Sequence, residues 1–193
     1  MAMVMLHGRG ASASDILSLA SEFGEPDLAY VAPQASGSTW YPNRFNAPLE
    51  NNEPWLTSAL GVVADVLSLV ATAGIPVERT LLLGFSQGAC LALEFVARNP
   101  KPYGGVAGLS GALIQNGDKP RSYSGTLRGT PVFLGCSTTD PHVPADRVQQ
   151  SAEIFRALGA DVTLRLYPNM EHTVNADEIQ FVRRMIASVK ASQ

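Results

Sequence analysis

Six short, almost unbroken apolar runs, separated by stretches of helical period, restrict this sequence more than any other feature. They lie at residues 3–6, 28–32, 80–85, 106–109, 132–136 and 163–167. Because these runs do not alternate apolar with polar residues, neither face of such a strand is suited to water. That is the pattern of strands covered on both sides in a parallel sheet. The segments between them supply the covering helices. Ser12-Ala13-Ser14-Asp15 has capping-box spacing ahead of Ile16, Leu17 and Leu19. Leu56, Leu60, Val63, Leu67 and Val70 recur at spacings of four and three, and so share one helical face. A third helix follows Ser86 and stops at Asn99-Pro100, a fourth covers 146–158 before Gly159, and a last opens near Asn175 with Glu178 three residues on. Strands alternating with helices imply right-handed crossovers. The expectation is an α/β fold with a mostly parallel, doubly wound sheet of about six or seven strands, helices on both faces and no large cap. Its 193 residues suit a single domain over 1–193.

Composition narrows the classes of partner. Hydrophobic residues make up 46% of the chain, enough for a substantial core, and the net charge is −3, so no basic footprint for nucleic acid or an anionic membrane surface is present. Two cysteines, Cys90 and Cys136, are too few for a disulfide framework and lie in apolar runs, which suits reduced thiols in a cytoplasm. The apolar start ends at His7-Gly8, too short for a signal peptide. Asp65 interrupts the most apolar window, 56–73, so no membrane-spanning helix is expected.

Chemistry concentrates around Gly84-Phe85-Ser86-Gln87-Gly88, a G-x-S-x-G pattern. By composition alone the chain would hold about 0.1 such matches, so the pattern needs context. A buried strand precedes it and a helix follows it, the setting of a nucleophile elbow. A serine that merely caps a helix after a glycine turn is the alternative. A serine nucleophile needs a base, and the base needs an acid to orient it. Of His7, His142 and His172, only His172 falls in the loop after the last strand. Asp140 falls in the loop after the preceding strand, giving the order Ser86, Asp140, His172 found in α/β-hydrolases. Asp146 competes for the acid role but reads as part of the next helix's first turn. The backbone amides of Gln87, after the nucleophile, and Arg9, in the loop after the first strand, are the expected oxyanion donors, with His7 structural.

These segments together resemble one family. Leu6-His7-Gly8-Arg9-Gly10, Ala32-Pro33-Gln34-Ala35, Trp40-Tyr41, the Gly84–Gly88 pentapeptide, Leu109-Ser110-Gly111 and the late Asp and His are similar to the phospholipase/carboxylesterase group of small α/β-hydrolases, which includes acyl-protein thioesterases. The resemblance spans nearly the whole chain. It implies a Ser86–Asp140–His172 triad, an oxyanion hole from Arg9 and Gln87, no cofactor, and hydrolysis of carboxylic esters or thioesters. Two departures stand out. Relatives carry a strand or two ahead of the His-Gly motif, so the sheet is expected to be short at one edge, which favours pairing into a homodimer. The Asp loop reads Cys136-Ser137-Thr138-Thr139-Asp140 where relatives often have Gly-x-x-Asp, although Asp140 keeps its spacing to Val143-Pro144.

Segments 33–54 and 115–130 are long loops, and in α/β sheets such loops crowd the ligand-binding edge. The expected substrate walls are Trp40, Tyr41 and Phe45, then Leu113 and Ile114, then Met170, with His142 either facing substrate or an ordinary loop residue. Trp40 and Tyr41 alternatively pack their own loop down. No charged cluster in the sequence selects a strongly charged substrate, and no histidine or cysteine spacing suggests a metal. A small-molecule ester of modest apolar character is the expected substrate. Hydrolysis of another bond type, such as a lactone, a dienelactone or a C–C bond, and ligand binding without catalysis both stay open.

Overall fold

The computed structural model describes residues 1–191. Each apolar run forms a strand: β1 (Ala2–Leu6), β2 (Ala29–Val31), β3 (Thr80–Phe85), β4 (Gly105–Leu109), β5 (Pro131–Ser137) and β6 (Asp161–Tyr167). Among the described residues they make one sheet in the order β2-β1-β3-β4-β5-β6, every neighbouring pair parallel. Six α-helices accompany them among the described residues: α1 (Ala13–Leu17), α2 (Leu19–Phe23), α3 (Trp55–Thr72), α4 (Gln87–Arg98), α5 (Ala145–Ala157) and α6 (Ala176–Ala191).

The period of two along each strand divides the core into layers. Met3, Met5, Leu81, Leu83, Ala107, Leu109 and Phe133 face α1, α2 and α6. Val4, Leu6, Leu82, Val106, Val132 and Leu134 face α3, α4 and α5. With both faces covered, β1 is wholly buried, which is why its sequence is apolar at every position.

Strand order reverses beside β1. The chain leaves β1 toward one edge, returns to β3 on its other side, and then proceeds outward to β6. Loops after β1 and after β3 therefore lead to helices on opposite faces, and a crevice opens between them at the carboxyl edge.

The apolar stripe on α3 is rotated from the expected one. Leu56, Ala59, Val63, Val66 and Val70 are buried, while Leu60 and Leu67 are only half-buried. The smaller Ala59 and Val66 lie on the buried stripe of a helix that packs against β1 and α4, and the leucines lie on its flanks. By length and composition α3 is also apolar enough to cross a bilayer, with mean hydropathy 1.6, so Asp65 does not exclude this as the sequence reading supposed. Its buried stripe packs on the sheet and its other face is bare, with Trp55 and Leu69 strongly exposed.

Segment 115–130 is tied to α4 by a buried carboxylate. Glu94 accepts from Arg98 Nε at 2.6 Å, Arg121 Nη2 at 2.5 Å and the Tyr123 hydroxyl at 2.8 Å, while Arg121 also donates to the Ile114 carbonyl.

Candidate active site

The turn from β3 into α4 is set by two glycines and one strained serine. Ser86 has φ 54° and ψ −118°, a region that L-residues rarely occupy. A Cβ on Gly84 would run into the Gly88 carbonyl, and a Cβ on Gly88 would run into the Leu6 carbonyl. Only glycine lets the three backbones approach so closely. The serine amide donates to Leu109 O at 2.9 Å and its carbonyl accepts from Cys90 N at 3.0 Å, so the turn is held from both sides. Its hydroxyl stands half-buried at the mouth of the crevice.

The hydroxyl meets two other groups. Ser86 Oγ lies 2.8 Å from His172 Nε2, and His172 Nδ1 lies 2.6 Å from Asp140 Oδ2. An Nδ1–H donated to the carboxylate leaves Nε2 unprotonated and able to accept the serine proton. The imidazole is packed between the rings of Phe85, at 5.1 Å between centroids, and His142, at 4.8 Å. Asp140 is buried, which by itself would raise its pKa. The hydrogen bond from His172 and those from the His142 and Val143 amides, at 2.8 and 2.9 Å, outweigh burial and hold the carboxyl below its usual range. The acid is thus kept ionised beside the ring. Asp146 is exposed on the first turn of α5, where it pairs with Arg147 at 3.6 Å.

The two expected oxyanion donors are backbone amides. Gln87 N–H is the first of α4, where the helix dipole favours negative charge, and Arg9 N–H lies in the turn after β1. Among the described residues neither donates to a protein acceptor. The Gln87 side chain is structural, bridging Trp40 N and Tyr41 O at 3.0 and 2.8 Å. The Arg9 guanidinium straps the same loop by donating to the carbonyls of Tyr41, Pro42 and Asn43 at 2.7–3.0 Å. His7 is fully buried, with Nδ1 on Gly8 O and Nε2 accepting from Ala35 N, a structural arrangement.

Gly8, Arg9, Ser86, Gln87 and His172 line a cavity of about 500 Å³ together with Tyr41, Phe45, Phe85 and His142. That is within the usual range for a small-molecule site. Four expected wall residues lie elsewhere. Trp40 is buried behind the wall, its indole donating to His7 O at 2.8 Å and tilted against the His7 ring at 4.9 Å between centroids, so it packs its loop. Leu113 and Ile114 line a separate cavity beside α5 and segment 115–130, because the Leu113 amide is held by Ser151 Oγ and turns the chain away. Met170 is turned toward Asn175, whose side-chain amide donates to its sulfur. The sequence reading missed Pro42, Asn43, Arg44, Cys90 and Val143 as wall residues. Arg44 sits one residue before the aromatic Phe45, but which side chains of an irregular loop turn inward has no period to reveal it. The mouth therefore gathers Arg9, Arg44 and His142 from distant segments, a basic grouping not visible along the chain.

A phospholipase/carboxylesterase family model matches residues 1–190. The crystal structure of a phospholipase/carboxylesterase from Dyadobacter fermentans superposes with a TM-score of 0.91 at 43% identity, covering 96% of this chain and 89% of that one. An acyl-protein thioesterase 1 from Debaryomyces hansenii is 33% identical over 116 residues, 60% of this chain and 50% of the relative, so the match spans about half of that protein's length. A probable carboxylesterase from Oryza sativa is 26% identical over 99% of this chain and 79% of its own.

Proposed function

The chain belongs to the phospholipase/carboxylesterase family, and on that premise we propose that it hydrolyses carboxylic esters of small to medium acyl or aryl groups through an acyl-enzyme on Ser86. Ser86 Oγ attacks the ester carbonyl carbon while its proton passes to His172 Nε2. Asp140 keeps the ring oriented and stabilises the imidazolium that forms. The carbonyl oxygen becomes an oxyanion, which the Arg9 and Gln87 amides receive. His172 then returns the proton to the leaving oxygen or sulfur, the C–O or C–S bond breaks, and water attacks the acyl-enzyme by the same route in reverse. Thioesters are included because curated relatives are named acyl-protein thioesterases. A cytoplasmic location is part of the same proposal; two buried unpaired thiols suit a reducing compartment.

The observation that carries this reading is the continuous chain of short contacts, 2.8 Å from serine to histidine and 2.6 Å from histidine to aspartate, at the rim of a cavity. The test is hydrolysis of p-nitrophenyl acetate and butyrate. Ser86→Ala is expected to lower kcat by about 10³-fold or more with the fold intact. A rate within a few-fold of the parent would remove Ser86 from the mechanism. Labelling of Ser86 by a fluorophosphonate probe separates a working nucleophile from a binding protein that merely keeps the pocket.

A further inference from the structure

We infer that the ester suited to this site carries a carboxylate, held at the cavity mouth by Arg44 and His142; the inference rests on the reading of Ser86, His172 and Asp140 as the hydrolytic groups. No Asp or Glu lines the cavity, whereas Arg9, Arg44, His142 and His172 all do. Asp140 lies behind His172, and its oxygens are already engaged by the His172 ring, two amides and Cys136. The whole chain carries a net charge of −3, so the pairing of Arg9 and Arg44 at the cavity is a local feature and not a consequence of composition.

The two arginines differ in what they have left to offer. The Arg9 guanidinium is spent on three carbonyls and contributes its charge. The Arg44 side chain makes one protein hydrogen bond among the described residues, a long 3.5 Å contact to the Pro141 carbonyl next to His142. Its backbone is held, because the Arg44 carbonyl accepts from Ala47 N and Asn52 Nδ2. A fixed root with most of its donors unspent, beside Pro141 and His142 at the cavity, is an arrangement for receiving an anion. The planar guanidinium fork matches a carboxylate, with two parallel N–H···O bonds. His142 lines the same cavity, with its ring against that of His172 and its amide already bonded to Asp140.

The experiment compares kcat/KM for monomethyl glutarate with that for methyl 5-methylhexanoate, its neutral isostere, followed by acid release at constant pH. The native chain is expected to favour the anionic ester by about ten-fold or more, about 1.4 kcal/mol. Arg44→Gln should bring that ratio close to one, Arg44→Lys should restore part of it, and high salt should shrink it in the native chain. A native preference for the neutral ester, or a ratio unchanged in Arg44→Gln protein of native Tm, overturns the inference. Ser86→Ala tells the two readings apart: if it abolishes both turnovers while Arg44→Gln leaves the ratio alone, only the carboxylate inference falls. If neither ester turns over, protection of Ser86 from fluorophosphonate by millimolar glutarate, lost in Arg44→Gln, supports the inference, and absence of protection overturns it.

Discussion

Ser86 holds a backbone conformation that costs on the order of 1–3 kcal/mol, and the surrounding glycines exist to permit it. Gly88→Ala would drive a methyl into the Leu6 carbonyl, and neither backbone can retreat inside a buried sheet. The expected outcome is a loss of about 3 kcal/mol or more, read as a large fall in the urea midpoint, or insoluble protein. Asp140→Asn keeps the shape but reverses what the group offers the His172 ring, so kcat should fall by roughly 10⁴-fold with KM little changed. A fall of less than ten-fold would mean that Asp140 does not orient the ring. At this scale the serine was legible because its motif is local and sterically demanding. Asp140 and His172 were legible from their positions after successive strands. Arg44 was not, since a loop side chain's direction depends on what it packs against.

At the scale of elements, the last helix shows both what spacing reveals and what it hides. Asn175 and Glu178 form the reciprocal cap that their spacing implies, each side chain accepting from the other's amide at 2.9 Å. Hidden from the sequence is that Glu178 is fully buried against Gly135 of β5, with Oε1 lacking a hydrogen-bond partner. Burial pushes its carboxyl up to about 7, against the opposing Asn175 amide and with Asp177 adding to the rise. The folded chain therefore binds this proton more tightly than the unfolded one. Stability from Glu178 is full below the ordinary carboxylate range and is lost as pH rises through about 7. Glu178→Gln should flatten that decline, so the variant gains on the parent between pH 5 and 8 by an amount on the order of 3 kcal/mol at most. Chemical denaturation across that range measures it, and parallel pH curves would refute it. Glu94 makes a second prediction for elements. Arg121→Ala removes one partner of a carboxylate with no solvent exposure and releases segment 115–130. A loss of up to about 3–5 kcal/mol is expected, with faster proteolysis confined to that segment.

For the molecule as a whole, the parallel order places Ser86 and the loop that holds Arg9 at the point where strand order reverses, so the candidate site is a product of topology. The same two-sided burial shields the thiols. Burial first of all raises Cys90 to about 11 and Cys136 to about 12, so neither is a thiolate at neutral pH. Native protein should react with Ellman's reagent only at the rate of global unfolding, although Cys90 touches the cavity wall. Rapid native titration of either thiol would contradict the core packing described above.

The amino-acid sequence by itself determined the alternation of strands and helices, the parallel sheet and the position of the elbow, because these depend on periodicity, on buried apolar runs and on glycine sterics within a few residues. Only the tertiary structure decided that Trp40, Leu113, Ile114 and Met170 turn away from the cavity while Arg44 turns toward it. Those orientations come from contacts between segments tens of residues apart, where loop backbone has no repeating geometry and each side chain goes where packing and hydrogen bonds leave room.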